Sequence, residues 1–449
     1  MTLGRPAYGG VAAVASLLVA GGLALALGLG PHSGGGESPR QGREVPATAM
    51  DMVAMNANNS PQLVADPADR QFVALANRVD GPQFGCALQV SYDGGHGWLS
   101  ARPVPALPSG VERCYAPVAA FDRSSRLYYL FVGLAGTGNS PVGVFLTTST
   151  NRGAGFTAPR QILGREHYMV RMALDPDTDR MHLVWLEART TPPTGGFAPP
   201  PNPIMSAFSN DRGETFSRPV QVSDPGRQRV VAPVLGLGAD RQVHVLYYDL
   251  GSDVRDYEGL EGPPWEQPWS LVLSTSRDGG AHFSPGVVVD GDVIPPQRVM
   301  LIYTMPPAAM AVDHDNVYVS WHDARNRDWD VFLRRSTDGG RSFSAPIRVN
   351  DDRRGDGRNE YLPQLAVSPE GRLDLLFYDR RNDPDNIGSD VYYTYSTDGG
   401  RSVAPNRRLT SLASNSLVGP HYAVTSARGL VETGGRIALL SEGNRALAA

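Results

Sequence analysis

Hydrophobic residues come in short runs, each broken by a cluster of Gly, Pro, Asn, Asp or Ser. From about Ala47 onward no run repeats with the spacing of an amphipathic helix, so the pattern predicts strands throughout. The unit is clearest near the C-terminal end. Leu362 to Val367 reads as a strand, Ser368 to Gly371 as a turn and Arg372 to Asp379 as a second strand. Asp390 to Tyr395 and Arg407 to Thr410 complete a set of strands named A to D here. Strand A opens near Pro61, Pro117, Pro233, Pro307, Pro363 and Pro420, and near Met169 in one unit. Proline at the start of a strand removes no ladder bond.

The C-to-D connection is written repeatedly. It reads Ser336-Thr337-Asp338-Gly339-Gly340-Arg341-Ser342-Phe343, and recurs from Ser91, Ser149, Ser209, Ser276 and Ser396. The six copies are 58, 60, 67, 60 and 60 residues apart, which marks a repeat architecture. Asp or Asn bonds its own backbone, and Gly supplies positive φ, so each copy has turn chemistry. The motif is read as structural.

This motif resembles the Asp box, or BNR repeat, of sialidase-type β-propellers. The resemblance implies an all-β propeller over residues 47–449. Seven A strands against six boxes predict seven four-stranded blades of about 57 residues each. In this reading the last blade is Tyr422 to Thr425 and Arg436 to Glu442, closed by Ala49 to Met55 as its D strand. Closure would remove a free sheet edge. Six blades is the alternative, because sialidases themselves have six.

Composition narrows the chemistry. Net charge is −5, which suggests no nucleic-acid partner. All 41 basic residues are Arg, so lysine Schiff-base and P-loop chemistry is excluded. Val11 to Gly30 is an unbroken run of apolar residues and glycine, long enough to span a bilayer. Residues 1–30 are therefore expected to be an uncleaved signal anchor, or alternatively a cleaved signal peptide. Residues 31–46 read as a flexible linker. The rest is expected outside the cytoplasm, secreted or anchored, and monomeric. An exported chain permits a disulfide, so Cys86 and Cys114 are expected to be bridged.

Strand direction sorts the candidate residues. The Ser-x-Asp boxes and the A–B turns share one face, the box face. The starts of A, the ends of B and the B–C loops share the other, the loop face. On the loop face lie Arg78, Asp80, His322, Asp323, Arg325, Glu360, Tyr361, Asp379, Arg381 and Tyr422, with Glu442 expected there as the end of a B strand. His167, Tyr168, Glu187 and Asp249 join them. Arg, carboxylates and aromatics together suit a sugar. The alternative reading of the repeated Asp-x-Arg is a structural ion pair. Asp175-Pro176-Asp177-Thr178-Asp179 resembles a metal loop, but its place at an A–B turn makes it turn chemistry. No metal or cofactor is expected.

The segment His421 to Thr425, with Gly435 to Glu442, resembles the sialidase tyrosine strand and the strand after it. That resemblance implies Tyr422 as nucleophile, Asp80 as acid/base, Arg78 as a substrate arginine, and Glu442 or Glu360 as the carboxylate that activates the phenol. The sialidase Arg-Ile-Pro signature reads Asn59-Ser60-Pro61 here, so one carboxylate-binding arginine is missing. Arg325 or Arg381 would have to replace it, with Asp323, Asp379, His322 and Tyr361 lining the site. Three functions follow: a sialidase-like glycoside hydrolase, a non-catalytic glycan- or protein-binding propeller, or a polysaccharide lyase. The lyase would use His167, Tyr168 or His421 as base and Arg171 or Arg325 to neutralise a uronate.

Overall fold

The computed structural model describes residues 25–28, 58–79, 85–104, 106–136, 140–165, 167–187, 201–253, 267–294, 308–415, 437–443 and 445–449. All regular elements among the described residues are strands. Six sheets each order four strands A-B-C-D as an antiparallel meander. Their A strands are Asn58–Asp66, Arg113–Phe121, His167–Leu174, Val230–Leu237, Ala309–Asp313 and Glu360–Val367. The B strands end at Val79, Ala135, Glu187, Asp249, Asp323 and Asp379.

Apolar side chains on both faces of each sheet pack against the next one. Leu88 and Phe131 lie in one cluster between blades one and two, and Leu130 and Trp185 in another between blades two and three. Tyr247 links blades three and four, Trp321 blades four and five, and Phe377 blades five and six. The remaining sector holds a three-stranded sheet of Leu439–Glu442, Arg445–Ala448 and Leu25–Gly28. Ala446 and Ala448 pack with Leu376 of blade six, while Ala438 and Leu447 pack with Val73 and Leu75 of blade one. The sheets thus close into a β-propeller.

The expected closure differs in detail. Six blades are four-stranded and the last sector is not. Its innermost strand is Leu439–Glu442, which meets the A strands of blades one and six. The turn after it lies on the box face. Arg70 and Arg372, both beside A–B turns, reach Glu442 and the Gly443 carbonyl respectively. Leu439–Glu442 therefore runs as an A strand, not as the expected B strand. The N-terminal partner of Arg445–Ala448 is Leu25–Gly28, in the C position. Ala49 to Met55 and Tyr422 to Thr425 lie outside the described residues.

The repeated turns share one geometry. In the copy at Asp338, Ser336 Oγ donates to Asp338 Oδ1 at 2.7 Å and accepts the Gly340 N–H at 2.9 Å. Asp338 Oδ1 also accepts the Arg341 and Ser342 N–H groups at 2.9 and 3.0 Å. Gly340 has φ 79°, and a Cβ there would lie 2.4 Å from Leu273 Cδ2 of the preceding blade. The glycine thus permits both the turn and the close seat of one blade on the next. Cys86 and Cys114 form a disulfide with Cα atoms 5.6 Å apart. It ties strand C of blade one to strand A of blade two, and stabilises by roughly 3–4 kcal/mol in the chain-entropy treatment.

Candidate functional site

The loop face divides into two regions of different chemistry. In blades five and six the predicted arginines and aspartates form inter-blade ion pairs. Asp323 is fully buried and accepts from Trp321 Nε1 at 2.8 Å and Arg325 Nη2 at 2.6 Å. Arg325 also crosses to Asp290 of blade four at 3.0 Å. Asp379 repeats this with Arg381 at 2.7 Å, and Arg381 crosses to Asp351 after strand D of blade five at 2.5 Å. Burial pushes the carboxyls of Asp323 and Asp379 up, although the arginines oppose this. In blade four, Asp249 pairs with Arg227 instead, at 2.5 Å.

His322 and Tyr361 are buried beneath this layer. Burial drives the His322 imidazole down to about 3. Its ring lies 5.8 Å from Trp329 and 6.4 Å from Tyr361. The Tyr361 hydroxyl bonds Ser389 Oγ at 2.6 Å, and Arg380 lies 4.9 Å over its ring. The structure thus brings His322, Asp323, Arg325, Tyr361, Asp379 and Arg381 to the same two blades, each engaged by protein partners.

Glu442 is not on this face. Its Oε1 lies 2.5 Å from Arg70 Nη1 on the box face, because its strand runs as A and not as B. The expectation that it activates a loop-face phenol is corrected accordingly. Tyr422 and Asp80 lie outside the described residues.

The second region spans blades one to three. Arg78, at the end of strand B, is 1 % exposed, with its guanidinium 5.0 Å from the Tyr115 ring centroid. The disulfide flanks this pair: Cys86 is the cross-strand neighbour of Arg78, and Cys114 precedes Tyr115. Tyr115 is half-buried and packs on the cluster that holds Trp185. His167 stands 5.5 Å from Trp185, and Glu187 is its cross-strand neighbour. Tyr115, His167, Tyr168 and Glu187 all keep part of their surface open.

A backbone feature recurs at the same height. Strand A shifts register just inside the loop face in blades one, two, three, four and six. Ala116, Met169, Ala232 and Leu362 there have φ between 49° and 56°. Such bulges re-aim the neighbouring side chains and are frequent beside functional sites.

Sequence reasoning missed an acidic knot between blades five and six. One oxygen each of Asp330, Asp352 and Glu360 lies within 4.8 Å of the others. Asn350 Nδ2 reaches Asp330 and Asp352 at 2.7 Å and Glu360 at 2.5 Å. Arg348 pairs with Asp330 and with Asp352. Burial, with Asp379, Asp352 and Asp330 nearby, pushes the Glu360 carboxyl up to about 11. A signal existed in the chain. Asp323-Ala324-Arg325-Asn326 and Asp379-Arg380-Arg381-Asn382 are the same motif, and each Asn donates to an Asp near the start of strand C, Asp330 or Asp390.

No family model and no curated protein matches the chain. Solved structures do match. An ulvan lyase of a new polysaccharide lyase family, bound to GlcA(1-4)Rha3S, has TM-score 0.52 and 13 % identity over 80 % of this chain and 86 % of its own. A lectin from Burkholderia pseudomallei has TM-score 0.50 and 9 % identity over 78 % and 84 %. A Hadza microbial sialidase has TM-score 0.46 and 14 % identity over 71 % of this chain, which spans 63 % of the sialidase. At these identities the likeness to the lyase and the lectin is one of fold alone.

Proposed function

We propose that this chain is an exported glycan-binding propeller that takes an anionic sugar on the loop face of blades one to three. One observation carries the reading. The half-open Tyr115 ring is backed by the buried Arg78, and His167 and Glu187 of the adjoining blade are also partly open. A sugar would stack on Tyr115 with His167 and Glu187 beside it, and the buried Arg78 charge would favour a carboxylate or sulfate. Arg78 is then a positioning residue.

Sialidase-type hydrolysis through Tyr422 and Asp80 has less support. Glu442 stands on the opposite face, and the arginines proposed to replace the missing one are engaged. Lyase chemistry is the second reading, because His167 and Tyr168 share the start of one strand with Arg171 two residues beyond the bulge. Export is supported by the apolar run and the disulfide, but Leu25–Gly28 within that run pairs with Arg445–Ala448, so these four residues belong to the closing sheet and not to an anchor or signal. The test uses the full chain on sialylated and uronate oligosaccharides. Binding without turnover supports the proposal. Sialic acid release would favour the hydrolase, and unsaturated uronate absorbance the lyase.

A further inference from the structure

The knot of Asp330, Asp352 and Glu360 has no place in the glycan reading. It joins three segments of two blades: the start of strand C and the residues after strand D in blade five, and the start of strand A in blade six. Asp330 and Glu360 are fully buried, and the Asp352 side chain is 6 % exposed. The carboxyl groups of Asp330, Asp352, Glu360 and Asp379 gather here around only two guanidinium groups, those of Arg348 and Arg381, and Arg381 is shared with Asp351. The carboxyl groups outnumber the cations in a buried place, so they cannot all ionise without a further positive partner. Isolated buried charge of this kind is strongly unfavourable.

The hydrogen bonds within the knot do not satisfy it. Asn350 Nδ2 has two N–H groups to give but stands within hydrogen-bond distance of three carboxylates. Its orientation is fixed, because its Oδ1 accepts the Val331 N–H at 2.9 Å. Glu360 Oε1 and Asp352 Oδ2 meet no donor, and neither does Asp328 Oδ1 close by in sequence. Unpartnered carboxylate oxygens on nearly fully buried side chains call for a positive partner.

We propose that the loop-face junction of blades five and six binds a hard divalent cation, calcium by its chemistry, through the carboxylates of Asp330, Asp352 and Glu360. Calcium takes oxygen ligands at about 2.3–2.6 Å in flexible geometry. Oxygens within 4.8 Å of one another can therefore share one ion. The ion would cross-link the two blades, adding to the Arg381–Asp351 pair, the Asn350–Glu360 bond and the bond from the Glu360 N–H to the Trp329 carbonyl. The other acidic cluster, Asp175 to Asp179, is different. Asp175 accepts the Asp177 and Thr178 N–H groups, Asp179 pairs with Arg123, and Asp177 is exposed to solvent.

Terbium, a luminescent stand-in for calcium, tests this on the full chain. Trp329 is a natural antenna, since its carbonyl accepts the Glu360 N–H at 2.8 Å. The wild-type chain should show terbium emission on tryptophan excitation, calcium should quench it, and calcium should raise the melting temperature saturably. Trp329→Phe should remove most of the sensitised emission while the calcium-dependent melting shift persists. Glu360→Gln and Asp352→Asn should weaken terbium binding about tenfold or more, because ligand charge sets affinity. Asp177→Asn should change neither signal. The proposal is overturned if calcium and chelator leave the wild-type melting temperature unchanged. It is also overturned if both knot variants keep the calcium shift. A third contrary result is Glu360→Gln that melts higher in a chain indifferent to calcium, which would show that a proton holds the knot.

Discussion

Glu442 and Arg70 meet across the closure of the ring, with Oε1 and Nη1 2.5 Å apart on the face that carries the Ser-x-Asp turns. The contact joins the sheet built from the chain's ends to blade one. Because Arg70 is half-exposed, the pair should contribute at most about 1 kcal/mol. Glu442→Gln should therefore lower the melting temperature by a few degrees at most and leave any sugar binding unchanged. Loss of binding or turnover in this variant, at unchanged stability, would return Glu442 to the functional site.

Arg381 is a structural test of the opposite kind. Its guanidinium serves Asp379, Asp351 and Asn406, and lies 4.3 Å over the Tyr392 ring. Arg381→Ala leaves Asp379 buried without its partner and should destabilise by about 3–5 kcal/mol. Chemical denaturation measures this. If Arg381 instead held a sugar carboxylate, the variant would keep its stability and lose affinity.

Asp338 should matter for folding and not for ligands. Desolvation raises its carboxyl, but hydrogen bonds from Ser342, Ser336 and the Arg341 backbone outweigh this and bring it down to about 2. Asp338→Ala should cost about 1–2 kcal/mol, a discounted value for a group near solvent. A depressed carboxyl contributes stability above the unfolded value near 4, which fades as pH falls towards 2. The variant should thus show a shallower loss of stability between pH 4 and about 2. An unchanged melting temperature with weakened sugar binding would contradict this assignment.

Buried histidines add a second acid limit at higher pH. Burial lowers His182 and His244 to about 4, and His322 to about 3. The unfolded chain takes up these protons near pH 6.5, before the folded chain does. Stability is therefore complete above pH 6.5 and declines as pH falls through the interval to about 4, by on the order of 2–3 kcal/mol for each group. Urea midpoints at pH 7 and pH 5 measure the fall. A His244→Gln chain should fall less. A midpoint flat between these pH values would show that the histidines are not held neutral.

Much of the propeller was legible because its signals are local. A turn such as Ser336-Thr337-Asp338-Gly339-Gly340 needs only its own side chains, so six copies mark six C–D connections. Strand direction around Glu442 was not legible. It depends on where residues 439–448 pair, and the hairpin at Gly443 has none of the repeated motif. The Asp-x-Arg motif was visible, but its partner was not. Asp290 and Asp351 come from the preceding blade, 35 and 30 residues from the arginines they meet. The Asp330, Asp352 and Glu360 knot escaped for the same reason. It is assembled by packing of two repeats, and no single repeat carries all three.

The most direct measurement is calorimetric titration of the full chain with uronate and sialylated oligosaccharides, repeated with Tyr115→Ala and Glu442→Gln. A stacking ring contributes about 0.5–1.5 kcal/mol, so Tyr115→Ala should weaken binding about two- to tenfold or more. Its fold should persist, since Tyr115 sits at the margin of its cluster. Glu442→Gln should bind as the wild type does. Equal affinity of wild type and Tyr115→Ala for every anionic sugar bound would contradict a site on blades one to three.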